Sequence, residues 1–229
     1  PAIIEGGSAA ADEAGYVAAM TYDVPGVGKG SKVGALLAIS SSGFTTLADS
    51  TASESVMFTL GFGASIKDLG APGLELFGEL YFQGGTIGST GIATNHDTID
   101  VGGFALELGA KYTMTGDLLP WVEFKITYMT GDDDQTAGDA DCDAYLSYGN
   151  HADLMIIEDS FYGFGWNTNE FAVKISGGAA LSVGSGKNNF RIWGVLGLCT
   201  AAEDVNFGPV VGNEKALGTE LDARFAYDF

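Results

Sequence analysis

Charged residues recur at even spacing inside otherwise apolar segments, and they are the side chains with chemistry to offer. Glu75 and Glu79 share one segment, Glu107 and Lys111 the next, Glu123 and Lys125 a third. Glu170 and Lys174, then Arg191, then Glu220, Asp222 and Arg224 repeat the arrangement toward the C-terminus. Fixed charges of both signs turned into one enclosed space set up a field that orients polar solutes and filters ions. Acids outnumber bases in this set, so a modest preference for cations is expected. The alternative is mutual pairing that fills a narrow closed interior, as side chains do in small barrels.

A second concentration of charge is Asp132, Asp133, Asp134, Asp139, Asp141 and Asp143. Carboxylates at this density bind Ca2+ or bridge it to anionic lipopolysaccharide. The EF-hand pattern is not met, because counting from Asp132 neither the required Gly nor the required Glu falls in place. A solvated acidic loop is therefore weighed against a Ca2+ site, and no other cofactor is expected. Cys142 and Cys199 fall near the same end of the expected architecture and are candidates for a disulfide, since an export route is oxidising. His96 beside Asp97 and His151 near Asp153 are the only groups from which a hydrolase could be assembled. Pairs of this kind arise by chance and no GxSxG occurs, so no enzymatic activity is expected.

The elements that must position these charges are strands. Leu217, Thr219, Leu221, Ala223, Phe225, Tyr227 and Phe229 fall on one face of a period-two pattern, and Glu220, Asp222, Arg224 and Asp228 on the other. The same alternation runs through Tyr16–Tyr22, Val56–Ile66, Leu74–Phe82, Phe104–Met114, Val122–Tyr128 and Phe171–Leu181, and more weakly through Lys32–Ser40 and Phe190–Thr200, where Trp193 and Val195 interrupt the polar face. These are nine candidate strands of roughly 9–14 residues. A tilted membrane strand needs about 9–11 residues, whereas globular strands average about 5–6. Connections alternate between short (Pro25–Ser31, Asp68–Pro72, Thr115–Leu119, Gly184–Asn188) and long (Ser41–Glu54, Gly84–Asp100, Gly131–Asn169, Ala201–Lys215). Outer-membrane barrels alternate short periplasmic turns with longer outside loops. Tyr16, Tyr22, Phe82, Tyr112, Tyr128, Phe171, Phe190, Tyr227 and Phe229 lie near strand ends on the apolar face, which suits an aromatic belt.

Composition agrees. The 229 residues include 35 glycines, about twice the ordinary usage of ~7%, which suits closely packed strands and tight turns. The net charge of −20 argues against nucleic acid, whose binding needs clustered Lys and Arg. The apolar runs are too short for a membrane helix of about 20 residues. Nine strands is odd, whereas bacterial single-chain barrels have even numbers. Either Pro1-Ala2-Ile3-Ile4-Glu5 is the tip of another strand, or an N-terminal piece is missing; the second is the expectation.

Thr127-Tyr128-Met129-Thr130-Gly131-Asp132-Asp133, a strand running into an acidic loop, and Leu217-Gly218-Thr219-Glu220-Leu221-Asp222 followed by Tyr227 resemble parts of a bacterial porin family that includes alginate-export-type and related large porins. The resemblance spans about the C-terminal half. It implies diffusion pores, some of them substrate-selective, with further strands after the second pattern. It transfers no functional residue.

The expected fold is thus all-β: one antiparallel up-and-down transmembrane barrel domain over residues 1–229, nine strands visible, part of a larger barrel. The expected function is an outer-membrane porin passing small hydrophilic solutes or ions by diffusion. Its expected partners are outer-membrane lipid and lipopolysaccharide, with a homo-oligomer or other envelope proteins as further candidates. The first alternative is a structural barrel that anchors surface loops or docks envelope proteins without an open pore. A soluble β-sandwich is the second.

Overall fold

Each period-two segment forms a strand, and hydrogen-bond ladders join the strands in chain order. The computed structural model describes residues 2–5, 13–46, 49–88, 98–116, 118–132, 141–146, 153–155, 157–158, 169–183, 188–205 and 214–228. The strands are β1 (Ala2–Glu5), β2 (Glu13–Asp23), β3 (Lys32–Thr46), β4 (Asp49–Lys67), β5 (Leu74–Gly88), β6 (Thr98–Thr113), β7 (Trp121–Met129), β8 (Asp141–Cys142), β9 (Glu170–Val183), β10 (Asn188–Val205) and β11 (Glu214–Asp228). The sheet order is β1-β2-β3-β4-β5-β6-β7-β9-β10-β11, every neighbouring pair antiparallel. The two-residue β8 stands apart from this path and runs parallel to β6, with Asp100 opposite Asp141 and Val101 opposite Cys142. No helix occurs among the described residues.

Two expectations change. The sheet is open, not closed into a barrel: β1 and β11 are its edges. The strand count rises, because Ala2–Glu5 pairs with Ala14–Val17 of β2 and brings the up-and-down path to ten. The strands also run further toward the long connections than alternation predicts. Beyond Ser40 the ladder continues with Ser41 opposite Val56, Ser42 opposite Ser55 and Gly43 opposite Glu54. Backbone pairing needs no apolar face, so the ladder outlasts the hydrophobic period that announces it.

The two faces differ sharply in chemistry. One carries Phe58, Phe62, Phe82, Phe104, Phe124 and Ile175, all solvent-exposed. On β11, Leu221 and Phe225 are 76% and 79% exposed, while Glu220 and Asp222, on either side of Leu221, are 8% and 7%. Phe82, Phe104 and Tyr128 form a chain of ring contacts on this outer face, with centroids 6.4 Å and 5.3 Å apart. The opposite face buries Thr59, Gln83, Thr127, Glu170 and Lys174. Register sets this inversion, since a one-residue slip would exchange the two faces of a strand.

The short connections are built for tightness. Asp68 N–H donates to the Leu74 carbonyl at 2.6 Å, and the Asp68 side chain accepts from Gly73 N–H at 2.7 Å. Gly73 has φ +85°, and a Cβ there would stand 2.1 Å from the Thr113 carbonyl oxygen. Gly70 shares a positive φ (+75°) but opens onto free space. Gly73→Ala is therefore expected to combine dihedral strain with a backbone clash and destabilise by about 2–4 kcal/mol, against about 1 kcal/mol for Gly70→Ala. Chemical denaturation of the two variants side by side checks the difference; equal midpoints would refute the steric account.

Candidate functional site

The register collects the predicted charges onto the inner face in rows. One row runs Lys67, Glu75, Lys111, Glu123 across β4–β7, so neighbouring strands alternate in sign. Lys67 lies 3.9 Å from Glu75, and Lys111 lies 3.5 Å from Glu123. Glu75 also accepts from Ser65 Oγ at 2.6 Å, and Glu79 accepts from Tyr81 at 2.7 Å. Alternation across a row lets each ion sit beside its opposite, and cross-strand pairs of this kind each contribute about 0.2–1 kcal/mol.

The next row breaks that rule. Phe77, Gly109, Lys125, Lys174, Gly197 and Glu220 follow one another across β5–β7 and β9–β11. Lys125 and Lys174 are direct cross-strand partners, and like charges so placed repel. The repulsion is resolved by residues 153–155 and 157–158 of the long connection between β7 and β9, which lie on this face. Asp153 pairs with Lys125 and, at 3.2 Å, with Lys174. Glu158 pairs with Lys174 as well, both side chains almost completely buried. Glu107 adds a contact to Lys125 at 3.3 Å, and Glu170 stands 3.8 Å from Lys174.

The row also holds the segment's backbone. Glu220 accepts from Met155 N–H at 3.0 Å and from Ile157 N–H at 2.7 Å, and Asp222 accepts from Met155 N–H at 2.9 Å. Arg224 donates to the Asp153 carbonyl. Glu158 folds back to accept from Leu154 N–H at 2.7 Å. Leu154 is completely buried against Ala172, Val195 and Cys199. Gly197 makes the room: a Cβ there would lie 2.5 Å from Leu154 Cδ1.

A second part of the same connection, residues 141–146, lies across β5–β7. Gln83 bonds Leu146 in both directions at 2.7 Å and reaches Thr59 at 3.2 Å. Tyr145 packs with Ala105, Met129 and Tyr81, and its backbone occupies the space above Gly103. Two stretches of one long connection thus cover the inner face.

Burial pushes the Asp153 carboxyl up, but the Lys174 and Lys125 ammonium groups outweigh it and hold the group below the ordinary carboxylate value. Its ion pairs are fully formed at neutral pH.

All the predicted charged residues therefore share one face, and Arg191 lies exposed near its short-connection end. Asp153 and Glu158 are the functional side chains that sequence reasoning missed as partners of this face. The candidate Cys142–Cys199 disulfide is not formed: neither cysteine is bonded to another. Cys199 is spent in the packing under Leu154, while Cys142 sits beside β6. Of the acidic stretch, Asp132, Asp141 and Asp143 are described, while Asp133, Asp134 and Asp139 lie outside the described residues, as do His96, Asp97 and His151. Among the described residues, no three Asp, Glu, His or Cys side chains gather as a metal site would require. No protein-family profile, curated protein or solved structure matches the chain.

Lys174→Met is expected to strand Glu158 and Asp153 and to destabilise by about 3–5 kcal/mol, the cost of removing one partner from a buried ion pair. Hydrogen exchange reads this locally: the amides of Leu154, Met155 and Ile157 lose protection before the strand amides do. Retained protection would show that the lysine does not hold the segment.

Acid is expected to release the same segment. A carboxyl whose folded pKa is depressed contributes stability above its unfolded value of about 3.9, and that contribution is lost as pH falls through the lower folded value. Exchange at these three amides, once corrected for intrinsic rates, is therefore expected to rise as pH falls below about 4. Exchange unchanged down to about pH 2 would contradict it.

Proposed function

We propose that the chain is an outer-membrane porin: a β-barrel with its apolar face in lipid, passing small hydrophilic solutes or ions by diffusion along its charged inner face. The observation that carries this is the inverted burial. Large apolar side chains such as Phe62, Leu108, Phe124 and Phe225 are exposed, while Glu158, Glu170, Lys174, Glu220 and Asp222 are buried. Water penalises that arrangement, because exposed apolar surface costs roughly 25 cal/mol per Å². Hydrocarbon outside and a polar interior reverse the sign.

Strand order supports closure. An up-and-down path of ten strands leaves its first and last strands antiparallel, as an even-numbered barrel requires. Lipid offers no hydrogen bonds to an open edge. The resemblance to alginate-export-type porins points the same way. Acids exceed bases on the inner face, which favours a modest cation preference.

The structural barrel is the second reading, favoured by the inward packing of residues 141–146 and 153–158, which occupy interior space that a channel would use.

Two measurements test these ideas. Leu108, half exposed on β6, is the probe of the outer face. Leu108→Arg is expected to destabilise the protein folded in lipid by about 2–4 kcal/mol, as a cation near the bilayer midplane does. On a water-facing surface the same change stays within about 0.5 kcal/mol, and that result would end the membrane reading. In planar bilayers the wild-type chain is expected to give conductance steps. The Asp153→Ala/Glu158→Ala variant is expected to give larger ones, as the freed segment leaves the lumen. Silence from the wild type with steps from the variant would favour the structural barrel.

A further inference from the structure

Where β7 stops, the neighbouring edge of β6 is taken up by β8. The β6–β7 ladder ends at the Ala105–Met129 pair, and Asp141 and Cys142 pair with Asp100 and Val101 nearer the start of β6. The next residue, Asp143, is thereby set beside Gly102 at the long-connection end. A Cβ added to Gly102 would meet one atom within 4 Å, an Asp143 carboxylate oxygen at 3.7 Å. Gly102 lies two residues from Phe104 and so on the same, outer face of β6. The missing side chain leaves a hollow there between a carboxylate and a ring.

That hollow belongs to a cavity of about 410 Å³ whose walls include Phe82, Gly102, Phe104, Thr130, Asp143 and Glu203. Among the described residues that line it, the charged groups are acids and none is a base. The Thr130 hydroxyl is taken by the backbone of Phe104, and Glu203 is already engaged. Asp143 has no hydrogen-bond or ion-pair partner among the described residues. Phe82 and Phe104 are both exposed, their ring centroids 6.4 Å apart. One unengaged carboxylate cannot satisfy Ca2+, which takes about six to eight oxygens. A carboxylate beside two open rings instead suits a cation that carries apolar surface of its own, because aromatic rings attract cations as well as hydrocarbon.

We propose that this cavity binds a small alkylammonium head, its charge on the Asp143 carboxylate and its methyl groups over Gly102 against Phe82 and Phe104. The same chemistry is offered by a free solute and by a choline lipid headgroup, since the cavity opens on the outer face near the aromatic belt. The volume lies toward the small end of the range for ligand pockets, about 300–1,000 Å³. Binding needs no conductance, so the site stands or falls apart from the porin reading.

The test uses the full chain folded in maltoside micelles, which are uncharged, with amide NMR shifts followed during titration. Choline is the probe. Neohexanol, its uncharged carbon isostere, keeps the shape without the charge, and ammonium ion keeps the charge without the methyl groups. Choline is expected to shift the Gly102, Phe104 and Asp143 amides saturably, with either control at least about fivefold weaker. Asp143→Asn removes the charge, and Gly102→Leu fills the hollow, where open space admits the new side chain. Each is expected to weaken choline by about fivefold or more while the remaining strand amides keep their shifts. No saturable shift from choline in the folded wild type would overturn the proposal. So would neohexanol binding as tightly as choline, or unchanged affinity in either variant. Nanodiscs separate the two sources. Choline binding lost in phosphatidylcholine discs but kept in phosphatidylglycerol discs assigns the site to the headgroup; binding kept in both assigns it to a free solute, and loss in both overturns it. Conductance without choline binding removes this site and leaves the porin standing; choline binding to a silent barrel does the reverse.

Discussion

Two ammonium groups forced into register by neighbouring strands are the constraint around which the inner face is organised. Lys125 and Lys174 cannot move apart, because the ladder between β7 and β9 fixes their backbones side by side. Lys174 cannot reach water easily either, being only 4% exposed. The remaining solution is to bring anions to them. Asp153 and Glu158 do so from a connection that would otherwise be free to leave the sheet. The placement of Asp153 and Glu158 is thus dictated less by their own neighbours in sequence than by an electrostatic demand of the strands beneath. Glu220 and Asp222 complete the seat by accepting backbone N–H groups, which a segment without regular structure must satisfy somewhere.

Glycine gives the other half of the fit. The inner face carries Gly103, Gly109, Gly178 and Gly197, and in each case an added Cβ would strike a neighbour: Tyr145, Phe77, Trp193 or Leu154. Gly109 and Gly197 stand within the charged rows themselves. Each of the four leaves room for its neighbour, so that inserted chain and strand-borne side chains pack closely against one face. The chain's high glycine content therefore serves packing against the inner face as well as turns.

Most of the strand scaffold was legible in the amino-acid pattern, because hydrophobic alternation of period two is written residue by residue along β4–β7, β9 and β11. The face occupied by each charged residue was legible for the same reason. Three things were not. The ladder beyond Ser40 was hidden because both faces there are polar, so pairing continues without a periodic signature. The short β1 offered only three apolar residues before Glu5, too brief a run to separate from a chain end. The seat of the 153–158 segment was hidden because it depends on which residues of separate strands stand opposite each other. Nothing local to Lys125 announces Lys174, and Asp153 read more naturally as a neighbour of His151. Trp193 and Val195 looked like flaws in a polar face; they are instead part of the apolar seat of Leu154.

Net charge is consequently a poor guide to the potential inside this molecule. The chain carries −20, yet many inner-face acids are occupied: Glu158 and Asp153 by lysines, Glu220 and Asp222 by backbone donors, Glu123 by Lys111. Their charge is spent at short range, where a partner a few ångströms away dominates over distant groups screened by salt. Position then decides the sign that a solute meets. On β5 and β6, Glu75 stands beside Lys67, Glu107 beside Lys125 and Glu79 accepts from Tyr81, while on β11 Arg224 stands beside Asp222. A face built this way pairs most of its charges locally, so an excess of acids in the whole chain does not by itself fix the potential over that face.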